Sequence, residues 1–336
     1  MIAAGHDPID LRRDERARAR TAVAKVLTFR EAAERYIQAH RPAWRSPKSL
    51  MAWESTLATE VYPHFGDVPV EAVDVGLVLK AIEGIWSTKS ETASRIRGRI
   101  ELVLDWAAAR GYREGDNPAR WRGHLENLLP KSTKMRRIEH LAALPYSEIA
   151  AFLSELRKQT NIAARALEFL ILTAARSGEV VGACWQEINL ADRVWVVPAA
   201  RMKGGREHRV PLSVPSVAAL ETMVAIRSGD HVFPGRRNVG GPMAEQSMRR
   251  LLRRMKRAHL TVHGFRSTFR DWAAERTEFP AEVAEMALAH SVGDKVEAAY
   301  RRSDLFERRR QIMEAWSCYC DAPPGGNVVP LRTDGR

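Results

Sequence analysis

Cysteine is scarce. The three thiols of this 336-residue chain, Cys184, Cys318 and Cys320, are too few for a disulfide framework and fit a reducing compartment, which points to the cytoplasm. Cys318 and Cys320 form a Cys-x-Cys pair, but no histidine or third cysteine stands nearby at ligand spacing, so no metal site is expected. No run of about eighteen apolar residues is present. The first residues, with His6, Asp7 and Asp10 among the apolar ones, lack the apolar centre of a signal peptide, so no membrane association is expected. The Gly-x-x-x-x-Gly-Lys-Ser/Thr phosphate loop, the His-Glu-x-x-His zinc helix and the Gly-x-Gly-x-x-Gly dinucleotide turn are all missing, which argues against a cofactor. Acidic residues are in deficit: 41 Asp and Glu against 53 Lys and Arg leave a net charge of +12. Phosphates attract such an excess and release counterions when bound, so nucleic acid leads among partner classes.

What is present is an ordinary globular composition, 45% hydrophobic, on a chain long enough for two domains of about 150 residues. Residues 1–26 are a basic lead-in, with Arg16, Arg18 and Arg20 alternating with alanine. Thr28 and Glu31 have capping-box spacing ahead of Phe29, Ala32, Ala33, Tyr36 and Ile37 at helical spacing. Further helices are predicted at about 46–63, 74–83 and 89–110, so residues 27–128 read as an all-helical domain. Residues 129–146 carry Lys131, Lys134, Arg136 and Arg137 between prolines and read as a basic linker suited to phosphate contact. A second domain follows over 147–320, with helices at about 147–158, 161–174 and 180–186. Then Val194–Val197 and Arg209–Leu212 suggest two antiparallel strands around Lys203-Gly204-Gly205, and helices return from about 215 to Tyr319. Residues 321–336, with Pro323-Pro324-Gly325-Gly326, read as a disordered tail. The fold class is therefore mainly α with a small antiparallel sheet, α+β.

The second domain scatters Arg176, Lys203, His263, Arg266, His290 and Tyr300 along its length. Each alone is ordinary: an arginine between helices is most often a surface ion-pair partner, and a lysine in a glycine turn is usually solvated. Their settings are more informative. His263 and Arg266 stand at i and i+3 at the start of a helical run and so share a face able to grip one anion. Arg176 lies between two helices, with Ser177 placed to cap the second. Lys203 adjoins a Gly-Gly turn, and His290 ends a helix ten residues before Tyr300, a spacing that lets both face one pocket.

Six segments in order carry a resemblance. They are Leu-Thr-Ala-Ala-Arg-Ser-Gly-Glu-Val at 172–180, Arg-Met-Lys at 201–203, Glu-His-Arg-Val-Pro-Leu-Ser at 207–213, His-Gly-Phe-Arg-Ser-Thr-Phe-Arg-Asp-Trp at 263–272, Leu-Ala-His at 288–290 and Ala-Ala-Tyr-Arg-Arg-Ser at 298–303. The second domain resembles the catalytic domain of tyrosine recombinases, specifically prophage and genomic-island integrases. Residues 27–128 resemble the family's core-binding domain, notably around Leu-Asp-Trp-Ala at 104–107. The resemblance implies a site-specific recombinase that cuts and rejoins DNA without ATP. Tyr300 would be the nucleophile and His263 its proton acceptor. Arg176 and Arg266 would hold the phosphoryl oxygens, Lys203 would protonate the leaving 5′-oxygen, and His290 would hydrogen-bond the phosphate. Glu179 would support this network. The resemblance further implies two domains closing around duplex attachment-site DNA like a clamp, a monomer when free, and four protomers on DNA that exchange a C-terminal segment. Residues 304–320, with Trp316 as apolar anchor, are the candidate for that exchange. Accessory DNA-bending proteins are implied partners. Family members usually carry a preceding arm-binding domain, and Gly5-His6-Asp7-Pro8 resembles the point just after it, so this domain is expected to be lacking.

Two alternatives remain: a metal-independent tyrosine topoisomerase and a catalytically silent DNA-binding remnant. For backbone contact the expected residues are Arg95 and Arg99 in the first domain, Lys134, Arg136 and Arg137 in the linker, and Arg249, Arg253 and Lys256 in a helix read as carrying six cations and no acid.

Overall fold

A computed structural model of the chain describes residues 27–44, 47–130, 142–235, 240–290 and 303–322. The chain divides into two compact units, residues 1–138 and 139–336. The predicted lead-in 1–26, the charged centre of the linker and the tail from 323 onward lie outside the described residues.

The described part of the first unit is helical. Helix α1 (Phe29–His40) opens with the expected capping box: Glu31 N donates to Thr28 Oγ1 at 3.2 Å, and Thr28 N donates to the Glu31 carboxylate at 2.9 Å. Its apolar stripe, Phe29 to Ile37, is buried. There follow α2 (Pro47–Glu60), a single turn α3 (Tyr62–Phe65), α4 (Val75–Trp86), capped by Asp74, and α5 (Ser90–Ala109). Helix α5 buries Ile96, Ile100, Val103, Leu104 and Ala107, a 3.6-period face against α1, α2 and α4. The indole of Trp86 donates to Pro130 O at 2.9 Å and ties the end of the unit to α4.

The second unit is built around α7 (Ile162–Thr173), in which Ala164 and every residue from Ala166 to Thr173 are buried. A helix apolar nearly all round has to be enclosed on every side. It packs against α6 (Ile149–Arg157), α8 (Ser177–Val181), α9 (Val214–Val224), α10 (Gln246–Arg254), α11 (Gly264–Arg276) and α13 (Phe306–Asp321). Helix α12 (Ala281–Ala287) packs between α11 and α13.

The sheet has three strands in order β1 (Ile188–Asn189), β2 (Val194–Val197), β3 (His208–Pro211), all antiparallel, with Trp195 opposite both Ile188 and Val210. The sequence suggested two strands. Strand β1 is only two residues long, too short to show a period. The helix expected over 180–186 instead ends at Val181, and a separate turn covers Trp185–Glu187. Of the six cations assigned to one helix, Arg249, Arg250, Arg253 and Arg254 lie on α10. Lys256 follows it with φ at 58° and Arg257 lies beyond, because a left-handed residue ends the helix.

Trp316, expected to anchor an exchanged segment, is fully buried within its own unit. Its indole donates to Ile171 O at 2.8 Å and its ring meets Trp272 at 5.0 Å. Arg309 is also buried: its Nε donates to Asp304 O at 2.7 Å, its Nη2 to the Asp304 carboxylate at 2.8 Å and its Nη1 to Arg209 O at 2.5 Å.

Candidate active site

The site forms where the ends of α7 and α12 meet the starts of α8 and α11. Helix α7 stops at Ala174 and α12 runs out at Leu288 and Ala289; Ala174 and Ala289 both take left-handed backbone, each with φ at 50°. These turns aim carbonyl oxygens at two arginines. Arg266 donates to Ala174 O, and to Leu288 O at 2.5 Å. Arg176 donates to Leu288 O at 3.3 Å and to Ala289 O at 3.1 Å. Helix C-termini carry partial negative charge, so they hold guanidinium groups without neutralising them.

Glu179 completes the arrangement. Its carboxylate accepts Arg176 Nη1 at 2.8 Å and reaches back to the Arg176 backbone N–H at 2.8 Å. This corrects the role given to Ser177, which is the first residue of α8; the capping is done from Glu179, because Arg176 itself is the N-cap. The short helix therefore offers no spare amide at Arg176.

Arg266 is 4% exposed. Burial, and then the charge of Arg176, lower its pKa to about 10, against the opposing pull of Glu179 and Glu285. It remains a cation at neutral pH. His263 precedes α11 by one residue. Gly264 follows it for a steric reason: a Cβ there would lie 2.5 Å from Ala142 O, where the incoming chain crosses. Partial burial, and then the charges of Arg266, Arg176, His290 and Lys203, hold the His263 imidazole below its ordinary value. His290 accepts from Arg266 Nη2 through Nε2 at 3.2 Å and donates from Nδ1 to Glu285 at 2.6 Å; the other Glu285 oxygen is held by Arg270 Nε at 2.6 Å. Lys203 is exposed in the β2–β3 connection. Arg266 is thus buried and Arg176 half-buried, while His263, His290 and Lys203 are exposed. Tyr300 lies outside the described residues.

Two family models cover most of the chain: Phage integrase central domain matches residues 29–124, and Phage integrase family matches residues 142–305. Prophage integrase IntA of Escherichia coli (strain K12) is 30% identical over 310 residues, spanning 91% of this chain and 73% of that protein. The chain belongs to the phage integrase family of tyrosine recombinases. Members of this family are enzymes that cleave and rejoin DNA. Prophage integrase IntZ of the same strain is 30% identical over 99% of this chain and 81% of its own length. Two solved structures share the fold. A lambda integrase tetramer bound to a Holliday junction has a TM-score of 0.64 at 18% identity, covering 87% of this chain and 84% of that one. The Tn1549 transposon integrase in complex with circular intermediate DNA has a TM-score of 0.61 at 17% identity, covering 86% and 99%.

Three residues next to the integrase cluster escaped the sequence reading. Glu285 was invisible because a carboxylate five residues before a histidine has no distinctive spacing. Arg270 and His208 were quoted only as parts of motifs. In β3 His208 is half-buried, and burial, then the charge of Arg309, lower its pKa to about 4 against the opposing pull of Glu179. It is neutral at pH 7.

The expected backbone-contact residues separate. Arg249, Arg253 and Lys256 are exposed. Arg95 is exposed but paired with Glu91 at 2.8 Å. Arg99 donates to Ala52 O at 2.6 Å and lies over the Trp53 ring at 5.1 Å, so its guanidinium fastens α5 to α2. Lys134, Arg136 and Arg137 lie outside the described residues. Among the described residues no helix is long and apolar enough to cross a membrane, and no three His, Cys, Asp or Glu side chains group as metal ligands.

Proposed function

We propose that this integrase is a site-specific recombinase that cuts one DNA strand at a time through a 3′-phosphotyrosyl intermediate, inserting or excising a prophage or genomic island. The observation that carries this reading is the pair Arg176 and Arg266, gathered on the helix-terminal carbonyls of Ala174, Leu288 and Ala289, with Glu179 bound to Arg176 and His290 bound to Arg266. In the reaction Tyr300 Oη forms a bond to phosphorus while the P–O5′ bond breaks. The tyrosine proton passes to His263, whose depressed basicity keeps it neutral and receptive at pH 7. The departing 5′-oxygen keeps the electron pair of its broken bond and takes a proton from Lys203. The guanidinium groups stabilise the charge on the non-bridging oxygens of the five-coordinate phosphorus, and preorganised donors of this kind supply much of the acceleration in such sites. The phosphotyrosyl ester stores the bond energy, so reversal by a new 5′-hydroxyl reseals the strand without ATP.

Duplex attachment sites are the substrate in this reading. Four copies would act on two duplexes, a reading supported by the lambda integrase tetramer bound to a Holliday junction. The exposed cations of α10 would track the DNA backbone. The test is incubation with nicked suicide duplexes in EDTA, followed by denaturing electrophoresis. A covalent protein–DNA adduct is expected and Tyr300→Phe should abolish it. An adduct that survives Tyr300→Phe, or that EDTA removes, would overturn the reading.

A further inference from the structure

A proton donor on an exposed turn beside two glycines needs something to hold it in place, and the root of the Lys203 turn is held by Arg201. Its Nη1 donates to both carboxylate oxygens of Glu187 and its Nη2 to the backbone carbonyl of Glu179 in α8. Glu187 is buried and also accepts the indole N–H of Trp195 in β2 at 3.0 Å and the backbone N–H of Cys184 at 3.3 Å. One guanidinium therefore fastens the turn both to the sheet and to the helix that carries Arg176 and Glu179.

Gly182 provides a second, independent observation. A Cβ at this position would lie 3.0 Å from Arg201 Nη2 and 3.3 Å from its Nε and Cζ. The φ of Gly182 is −89°, a value any residue adopts. What the glycine spares is therefore contact with the guanidinium rather than backbone strain.

We infer that Arg201 is a positioning residue for strand cleavage, acting through Lys203 by holding its ammonium group where the 5′-oxygen departs. This rests on the proposed function of Lys203. In that step the P–O5′ bond breaks, its electron pair goes to oxygen and Lys203 supplies the proton. If sulfur replaces the bridging 5′-oxygen, the P–S bond breaks and the thiolate leaves unprotonated, since thiols ionise near pH 8.5. A defect that only misplaces Lys203 should vanish on the sulfur substrate. Damage to the phosphate grip or to the fold should persist on both.

The experiment measures single-turnover cleavage by the full chain on two nicked duplexes, one with oxygen and one with sulfur at the cleavage position mapped from adducts of the unaltered protein. Lys203→Ala should lose about 10²-fold or more on oxygen and recover on sulfur. Arg201→Ala should lose between about tenfold and 10²-fold on oxygen, as expected for a group moved by about 1 Å, and also recover on sulfur. Gly182→Ala keeps every bonding partner and only crowds the guanidinium. It should show the same pattern at smaller amplitude, and it decides the matter if Arg201→Ala does not fold. Rescue of Lys203→Ala alone, with the Arg201 and Gly182 variants equally slow on both substrates, would overturn the inference while leaving the role of Lys203 intact. Failure to rescue Lys203→Ala would remove that role and the inference with it.

Discussion

Glu168 in α7 and Glu179 in α8 are both nearly buried and both bind arginine, yet their surroundings differ in charge. At Glu168 the two carboxylate oxygens take Arg157 at 2.5 Å and Arg165 at 2.7 Å, and Arg157 also meets Asp321 at 2.7 Å. Two cations face two anions there, and the group is an internal strut. At Glu179, among the described residues, only Arg176 is paired with the carboxylate, while neighbouring Arg266 is held by the carbonyls of Ala174 and Leu288. Carbonyl dipoles compensate burial without cancelling charge, so this second cluster keeps a positive field that an arriving phosphate can use. The same residue types thus build a strut or an anion site according to whether carboxylates or helix ends supply the acceptors.

The hardest test of this contrast is Arg266→Lys. An ammonium group cannot span Ala174 O, Leu288 O and His290, so cleavage per folded molecule should fall by about 10²–10³-fold in single-turnover kinetics. Glu168→Gln is the matched change in the strut. It should lower unfolding free energy by about 2 kcal/mol in chemical denaturation, a figure reduced because Arg157 is partly exposed, and leave cleavage per folded molecule unchanged. If Glu168→Gln slowed cleavage as much as Arg266→Lys, the two clusters would not be functionally distinct.

A smaller effect concerns pH. The His263 pKa is lowered from 6.5, first by partial burial and then by uncancelled positive charge, so its neutral, proton-accepting form persists below that value. Cleavage should therefore lose rate as pH falls only beneath 6.5. Raising the salt concentration should move that acidic limb upward as the neighbouring charges are screened. A limb above 6.5 at low salt would contradict the field inferred here. The least effect is expected on α10: Arg249→Ala with Arg253→Ala should reduce the salt slope of DNA binding by about one for each phosphate no longer neutralised, with cleavage at saturating DNA unaltered.

Legibility followed the range of the interaction. The Thr28–Glu31 cap, the stripe of α1 and the strands β2 and β3 were readable because each depends on neighbours within a turn or on a short apolar, β-branched run beside a glycine turn. The ordered basic and hydroxyl residues were readable as a set, although none was informative singly. The anchoring partners were not. Arg201 with Glu187, and His290 with Arg266, join residues well apart in the chain, and Arg99 looked like a free cation until α2 was placed beside it.

By itself, then, the sequence determined the helical character, the excess of positive charge and which side chains were available for phosphoryl chemistry, since these depend on composition and short-range pattern. Only the tertiary structure decided which arginines keep an effective charge. That depends on whether a guanidinium meets a carboxylate or a helix-terminal carbonyl, and long-range packing alone chooses between them.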